Sequence, residues 1–427
     1  GGAGFPTHIK VANEVEIVIA NGAECEPLLR VDQQLMAHFP EKLVQGMKIL
    51  KEATNAKRAI IGLKDKYQKA YEALKPFADE AGVELFKLGA FYPAGDEVTL
   101  VYEVTGRIIP EGGLPLNVGC LVQNIHTLLW MVDAQEGKTI MESFVTVAGA
   151  VNKPGTFLVP VGISVEETIQ AAGGPIDEDF VVINGGPMMG QFVETDTSIT
   201  KKTSGLIVFP KDHSYVEKRS ENVKISWKRA ASACTVCEDC TKYCPRYLLG
   251  HRVLPHRAMR SSALQLGGEQ PPMQGWALSG AICCECGICT LWSCPMDLRP
   301  REMMAVIKQK MMQTKTVNPF KGLDGPIHPA YEDRKIPVAR LIKGLELQDW
   351  DVEAPIQLER IEPAIVRIPL SQHIGAPCTP VVAKGDKVKA GDLIGEIPEG
   401  ALGARVHASV TGEVINISDH IEIKAAV

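Results

Sequence analysis

Nine of the twelve cysteines fall between residues 234 and 294, and their spacing limits what this part of the chain can become. The first run reads Cys234-Thr-Val-Cys237-Glu-Asp-Cys240 and closes with Cys244-Pro245. The second reads Cys283-Cys284-Glu-Cys286-Gly-Ile-Cys289 and closes with Cys294-Pro295. A short loop with three thiolates so spaced can aim them at three irons of a cubane. The proline after the closing cysteine stops regular pairing and turns the fourth thiolate away. In paired runs of this kind the fourth cysteine ligates the neighbouring cluster. The expected sets are therefore crossed. Cys234, Cys237, Cys240 and Cys294 surround one [4Fe–4S] cluster, and Cys283, Cys286, Cys289 and Cys244 surround the other. Structural zinc draws four sulfurs from two separated pairs, not from two sets of three plus one. A disulfide framework does not suit a long chain with cytosolic character. The second run departs from the usual spacing, because four residues stand between Cys289 and Cys294. Cys284 is left over, as an alternative ligand or a buried thiol.

The chain has 427 residues, enough for about three domains. A net charge of −6 lacks the basic footprint of a nucleic-acid binder, so no nucleic-acid partner is expected. No apolar run approaches the length of a membrane span. Residues 1–6 do not read as a signal peptide. Oxygen-sensitive clusters then lead to the expectation of a reducing, cytoplasmic setting.

Residues 1–136 alternate strand and helix patterns. Val15-Glu-Ile-Val-Ile-Ala is a buried-strand pattern ending at the turn Asn21-Gly22. A helix is expected from about Asp32 to Ala53, a strand over residues 58–63, a helix from Asp65 and a strand over residues 83–88. This alternation argues for a parallel sheet in an α/β layer structure. Ligands in such sheets bind at the carboxyl ends of the strands. Asn21-Gly-Ala-Glu-Cys-Glu-Pro27 and Tyr92-Pro-Ala-Gly-Asp-Glu97 both fall at such ends. Gly1-Gly2-Ala3-Gly4 is a glycine-rich loop that lets backbone N–H groups approach a phosphate. It is also a common kind of turn, and it is not the dinucleotide fingerprint G-x-G-x-x-G.

Four motifs occur in order: Gly1-Gly-Ala-Gly-Phe-Pro-Thr7, residues 21–27, residues 92–97 and Val122-Gln-Asn-Ile-His-Thr127. Together they resemble the flavin- and NADH-binding subunit of respiratory complex I. More closely, the whole chain resembles the RnfC family and its PduS-like cobalamin-reductase branch. The resemblance implies a Rossmann-like domain that binds FMN without a covalent link, with NADH stacked upon it. Carried over by position, Gly1, Gly2 and Gly4 lie against FMN and NADH, Phe5 stacks near the adenine, and Lys10 approaches the FMN phosphate. Asn21, Glu24 and Cys25 line the flavin beside the Gly95-Asp96 turn. Glu26 and Glu97 face the nicotinamide, and Asn124 holds the FMN phosphate or ribityl chain. No catalytic side chain is required, because the flavin carries the chemistry. Ala23 stands where complex I has an acidic residue, and Gln123-Asn124 where it has two asparagines. Taken singly, Glu24, Glu26 and Glu97 also read as solvated loop carboxylates. Cys25 and Cys120 read as small apolar residues, and His8, His38 and His126 as surface or core histidines.

Residues 140–210 contain a hairpin around Asn152-Lys-Pro-Gly155, a short helix over residues 165–172 and a strand over residues 205–210. They resemble the β-grasp SLBB module, either a cobalamin contact or, better, a scaffold. Residues 233–316 are expected to form a helical, ferredoxin-like two-cluster domain. The basic stretch over residues 246–260 reads as facing water or an acidic partner, and residues 317–355 as an extended connection. Residues 356–427 resemble a barrel-sandwich hybrid. His407-Ala408-Ser409 replaces the modified lysine of lipoyl-type barrels, which favours a docking or structural role over a swinging arm. The fold class is thus α/β multidomain.

The implied function is electron transfer from NADH to FMN, to two [4Fe–4S] clusters, and on to a redox partner protein in a multi-subunit complex. A one-electron cluster cannot accept a hydride, so a flavin must stand between it and NADH. Three alternatives remain open: cobalamin reduction within a diol-utilisation microcompartment, NADH input to a soluble methylenetetrahydrofolate reductase, and a flavin-free iron–sulfur relay.

Overall fold

The computed structural model describes residue 2 and residues 4–264, 275–323 and 325–426. The first unit is a four-stranded parallel sheet. Its strands are β1 (Ile17–Gly22), β2 (Arg58–Lys64), β3 (Glu84–Leu88) and β4 (Cys120–Asn124), in the spatial order β3-β2-β1-β4. Ile17, Val18, Ile19 and Ala20 are all buried, as expected for a central strand covered on both faces. The covering helices are α1 (Val31–His38), α2 (Pro40–Ala53), α3 (Gln68–Ala81), α4 (Glu97–Thr105) and α5 (Ile125–Gln135). The chain winds outward from β1 to β3 and then crosses back to place β4 on the other side of β1. A crevice therefore opens at the carboxyl ends of β1 and β4.

The single helix expected over residues 32–53 is two helices. Pro40 has no N–H to donate and crowds the residue before it, so Phe39 leaves helical geometry at φ −125°, ψ 45°. This break lets the short α1 turn its amino end toward the crevice.

The second unit holds the hairpin Glu142–Gly149 with Gly155–Pro160, the helix Val165–Ala171, and strands Phe180–Asn184, Gln191–Val193 and Gly205–Pro210. Ser164 caps the helix by accepting from the Glu167 N–H at 3.1 Å. A sixth strand, Ile356–Arg360, joins this sheet in parallel with Gly155–Pro160. The barrel pattern begins at residue 356 in the sequence, but this first strand covers the open edge of the β-grasp sheet instead. An uncovered edge leaves a row of unpaired N–H and C=O groups.

The cysteine region is helical, with Val223–Ala233, Pro255–Leu264 and Pro300–Gln313 as its longest α-helices. Met303, Met304, Ile307 and Met311 are core residues. Residues 317–355 are not a plain extended connection. Ile336–Pro337 pairs with Phe91–Tyr92, and the helix Val338–Gly344 buries Leu341 and Ile342. A Pro- and charge-rich composition hid that one short apolar face. The basic stretch 246–260 is likewise only partly solvent-facing, since Arg246 and His251 are turned inward.

The barrel contains two sheets. One has the order Ile365–Pro369, His420–Ala425, Gly412–Ile417, Lys387–Val388. The other has the order Thr379–Pro380, Leu393–Glu396, Val406–His407. Their inner faces close over Val366, Ile368, Ile394, Val414 and Ile423. The barrel is bolted to the β-grasp unit. The Arg367 N–H donates to Gly162 O at 2.8 Å, and Ser409 Oγ donates to Val161 O at 2.6 Å. Ser409 and Ala408 are buried at that joint, so the position of the lipoyl-type lysine faces the protein interior. Among the described residues no helix is long and apolar enough to cross a membrane.

Gly162 takes φ +96°, and a Cβ there would lie 2.8 Å from Ile368 Cγ1 and 3.0 Å from Arg367 O. Gly162→Val is expected to cost about 2 kcal/mol or more through strain and overpacking. In limited proteolysis the variant should be cut in residues 361–364, between the two units, well before the parent protein. Equal cleavage rates would show that the joint tolerates the side chain.

Candidate flavin and iron–sulfur site

At the crevice Asn21 stands opposite Asn124. Asn124 caps α5, its Oδ1 accepting from the His126 N–H at 3.0 Å, while its Nδ2 donates to Asp32 Oδ2 at 3.5 Å. Asn21 Nδ2 donates to Gly95 O at 2.8 Å, which ties β1 to the loop of residues 92–97. A Cβ on Gly95 would meet Cys25 Sγ at 3.2 Å and Asn21 Oδ1 at 3.4 Å. Lys10 Nζ donates to Val122 O at 2.8 Å and stands 3.7 Å from Glu97 Oε1. Gly2 takes φ +70°, and a Cβ on it would lie 3.6 Å from Asn124 Cβ. The fold thus gathers Gly2, Lys10, Asn21, Gly95, Glu97 and Asn124 from distant parts of the chain. Phe5 is exposed. Gly1 lies outside the described residues.

Gly4 is contacted from outside the sheet domain. Its carbonyl accepts from the Ile374 N–H of the barrel at 2.9 Å, and a Cβ on it would strike Lys202 Cδ at 2.6 Å. Both later units therefore reach the glycine-rich loop.

Glu24 has φ +32°. Its carbonyl accepts from Lys64 Nζ at 3.1 Å and Tyr67 OH at 3.4 Å. Its carboxylate caps α1 by accepting from the Asp32 N–H at 2.9 Å and the Gln33 N–H at 3.2 Å. Burial raises the affinity of this carboxyl for its proton. The same burial, reinforced by the Glu24 charge, raises that of Asp32 well above the usual range. Burial also depresses the Lys64 ammonium to about 8. Cys25 packs against Gly95, and burial pushes its thiol up to about 12, so it stays neutral.

Glu26, expected at the nicotinamide end, is bonded to the β-grasp unit in this structure. Its Oε2 and Oε1 accept from the Met188 and Met189 N–H groups at 2.9 Å each. Both oxygens are engaged in bolting the sheet domain to the β-grasp loop of residues 185–190. The physical reason is the turn itself, whose backbone donors need a partner. Asp96 is likewise held on both of its oxygens. Its Oδ2 caps α4 through Thr99 at 3.2 Å, and its Oδ1 accepts from Arg246 at 2.7 Å.

The cysteines surround two hollows. Cys234, Cys237, Cys240 and Cys294 line one, together with His256, Met259 and Leu298. Cys244, Cys283, Cys284, Cys286 and Cys289 line the other, with Arg246 and Arg301. The partition follows the crossed pairing, with each closing cysteine facing the other run's hollow. Cys284 shares the second hollow and lies beside Cys286 and Arg246. Val236, Glu238 and Glu285 take positive φ in the loops between cysteines, where the chain turns sharply about each hollow. Among the described residues no three Cys, His, Asp or Glu side chains gather closely enough for a single ion. The sulfurs ring a space instead.

One loop serves both kinds of site. Tyr92 is buried, and its hydroxyl donates to Cys286 O at 2.7 Å. Four residues on, Asp96 holds Arg246, which follows Cys244-Pro245. The second hollow therefore adjoins the crevice loop, while the first faces outward, with Cys237, Val236 and Met296 exposed. Sequence reasoning missed Asp32, Lys64, Arg246 and Lys202 as site neighbours. Only Arg246 carried a local signal, being adjacent to a Cys-Pro pair.

The residues fit the implied groups. An ammonium, an asparagine amide and left-handed glycine backbone suit a flavin phosphate and its polar chain. Two rings of cysteine sulfur suit two cubanes. Comparisons with known proteins agree. Residues 1–133 match the Nuo51 FMN-binding domain, 144–192 the SLBB domain, 233–299 a 4Fe-4S dicluster domain and 348–426 the RnfC barrel sandwich hybrid domain. The cobalamin reductase PduS of Citrobacter freundii is 39% identical over 98% of this chain and 92% of its own length. PduS of Salmonella typhimurium has the same identity and coverage. One subunit of the proton-translocating ferredoxin:NAD(+) oxidoreductase complex of Clostridium ljungdahlii is 36% identical over 58% of this chain and 53% of its own length.

Cys294→Ala should lower bound iron from roughly eight to roughly four atoms per chain. It should also abolish the signal of the cluster in the first hollow and leave the second. Cys284→Ser should leave iron content unchanged. A fall to about half in that variant would place Cys284 among the ligands. Lys10→Ala should weaken FMN retention during gel filtration without lowering iron content.

Proposed function

The chain belongs to the family of the PduS cobalamin reductases, and from that premise we propose that it draws electrons from NADH at the β1–β4 crevice and delivers them through the first cysteine run to a corrinoid. It is an NADH-oxidising flavo-iron–sulfur electron-transfer subunit. The observation that carries the reading is the loop of residues 92–97, which borders the crevice on one side and the second hollow on the other. FMN, when bound, accepts a hydride and gives up electrons singly to iron–sulfur centres.

The chain's own residues supply position and environment. Lys10 offers charge for a phosphate, Asn124 an amide, and Gly2 a close backbone approach. Glu97, half-exposed and paired with Lys10 at 3.7 Å, is a carboxylate at the crevice mouth that suits a ribose or carboxamide of the nucleotide. Cys25 stays protonated and acts as packing. Cys244, Cys286 and Cys289 are buried near the crevice loop, whereas Cys237 is exposed. This difference supports an inward second cluster and an outward first cluster that meets the acceptor.

A corrinoid acceptor is favoured by the match to the PduS relatives along nearly the whole chain. Such an acceptor would place the chain with the enzymes of a diol-utilisation microcompartment. The Rnf-type relatives, one of them a subunit of a multi-subunit complex, support a second reading, in which the residues around the outward hollow would dock a redox centre of another subunit.

Anaerobically reconstituted protein should bind FMN, lose flavin absorbance on NADH addition, and then reduce cob(II)alamin or cob(III)alamin. Flavin bleaching with unchanged corrinoid would favour the partner-subunit acceptor. Protein that holds iron but neither binds flavin nor oxidises NADH would leave only the relay.

A further inference from the structure

Arg246 is a buried cation whose environment has an unusual division. On one side its Nη2 is held 2.7 Å from Asp96 Oδ1, with side-chain exposures of 15% and 13%. On the other side the residue lines the second hollow with Cys244, Cys283, Cys284, Cys286 and Cys289. Its Nε is buried and has no hydrogen-bond partner among the described residues. The guanidinium already interacts with Cys284 at the edge of the hollow, and a buried donor left unpaired costs free energy, so the remaining Nε at a hollow lined with sulfur points to a further acceptor there.

Glu285 pairs with Lys308 at 2.8 Å, whereas Arg301 at 3.7 Å and Arg299 at 3.2 Å share the single carboxylate of Glu302, so Arg301 is a second source of positive charge at the hollow. Asp96 cannot swing toward the hollow, because its second oxygen is engaged by the Thr99 N–H and hydroxyl. The Asp96–Arg246 pair is therefore an oriented dipole. Its positive end lines the hollow, and its negative end sits in the crevice loop.

We propose that Arg246 is a positioning and tuning residue for the second iron–sulfur cluster: held in place by Asp96, it presents positive charge to the cluster and raises its reduction potential. Reduction adds one electron to the cluster, and a nearby fixed cation stabilises the added charge. Asp96 also acts on this hollow, since its charge is felt at Cys284 beside that of Arg246, so the two partners of the pair pull the midpoint in opposite directions. The same pair puts negative charge beside the crevice. Electron passage from crevice to cluster is thereby favoured over the return. The proposal rests on the reading that the second hollow holds a [4Fe–4S] cluster.

The test is an EPR-monitored redox titration of the fully reconstituted chain, with the two signals assigned through Cys294→Ala. In Arg246→Gln the midpoint of the second cluster should move to more negative potential while the first stays in place. In Asp96→Asn, where asparagine still caps α4, the guanidinium charge is unopposed. The same midpoint should then move to more positive potential. Arg246→Lys keeps the charge and should restore most of the parent value. It also serves as the decisive variant if Arg246→Gln fails to hold its iron. A purely structural role would move both variants the same way or move both clusters together, and either result overturns the proposal, as does an unchanged midpoint. A parent protein lacking the second signal would instead overturn the cluster assignment itself.

Discussion

The hydroxyl of Tyr92, buried and donated to Cys286 O, joins two chemistries that must be neighbours if electrons are to pass between them. Tyr92 sits at one end of a six-residue loop, Asp96 near the other, and each reaches a different part of the cysteine region. Between them Gly95 accepts from Asn21 at the end of β1. A single buried hydrogen bond contributes about 1 kcal/mol to stability. Its larger effect here is geometric, since a loop held at three points cannot drift relative to the sheet or the second hollow.

The remaining units work around that constraint. Glu26 locks the sheet domain to the β-grasp turn at Met188 and Met189. Ile336–Pro337 adds two residues of pairing to Phe91–Tyr92, immediately before the critical loop. The barrel closes on the β-grasp unit through Gly162 and Ser409 and touches the glycine-rich loop through Ile374. The barrel's buried Ala408-Ser409 tip accounts for the missing lysine: the position that swings free in lipoyl-type barrels is a packing surface here.

Electrostatics separates the groups by task. Glu24 and Asp32 share a dry corner at the amino end of α1, where burial favours their protonated forms and the helix end favours the charged ones. Lys10 and Glu97 stand together near the crevice mouth, with Lys10 also bonded to the Val122 carbonyl. Arg246 is committed to Asp96, and its charge is directed inward.

Much of this was legible in the chain itself. Cysteine spacing specified two four-sulfur sets, because a cubane needs three thiolates from one tight loop and a fourth from elsewhere. Apolar runs in alternation with helical periods specified the parallel sheet, and the order of four short motifs specified a flavin domain. Other features were out of reach. Glu26 looks the same in a one-dimensional string whether it meets a nucleotide or a backbone turn more than 160 residues away. The basic stretch after Cys244 gives no sign that Arg246 meets Asp96 across 150 positions. The Pro-rich stretch before the barrel gives no sign that residues 356–360 finish a different sheet. Local periodicity and ligand spacing are properties of neighbouring residues, so the sequence alone determined most of the strands and helices and the expected cluster ligands. Which hollow adjoins the crevice, and which carboxylates are taken up by backbone turns, depends on contacts between distant segments. Only the packed tertiary structure decided those.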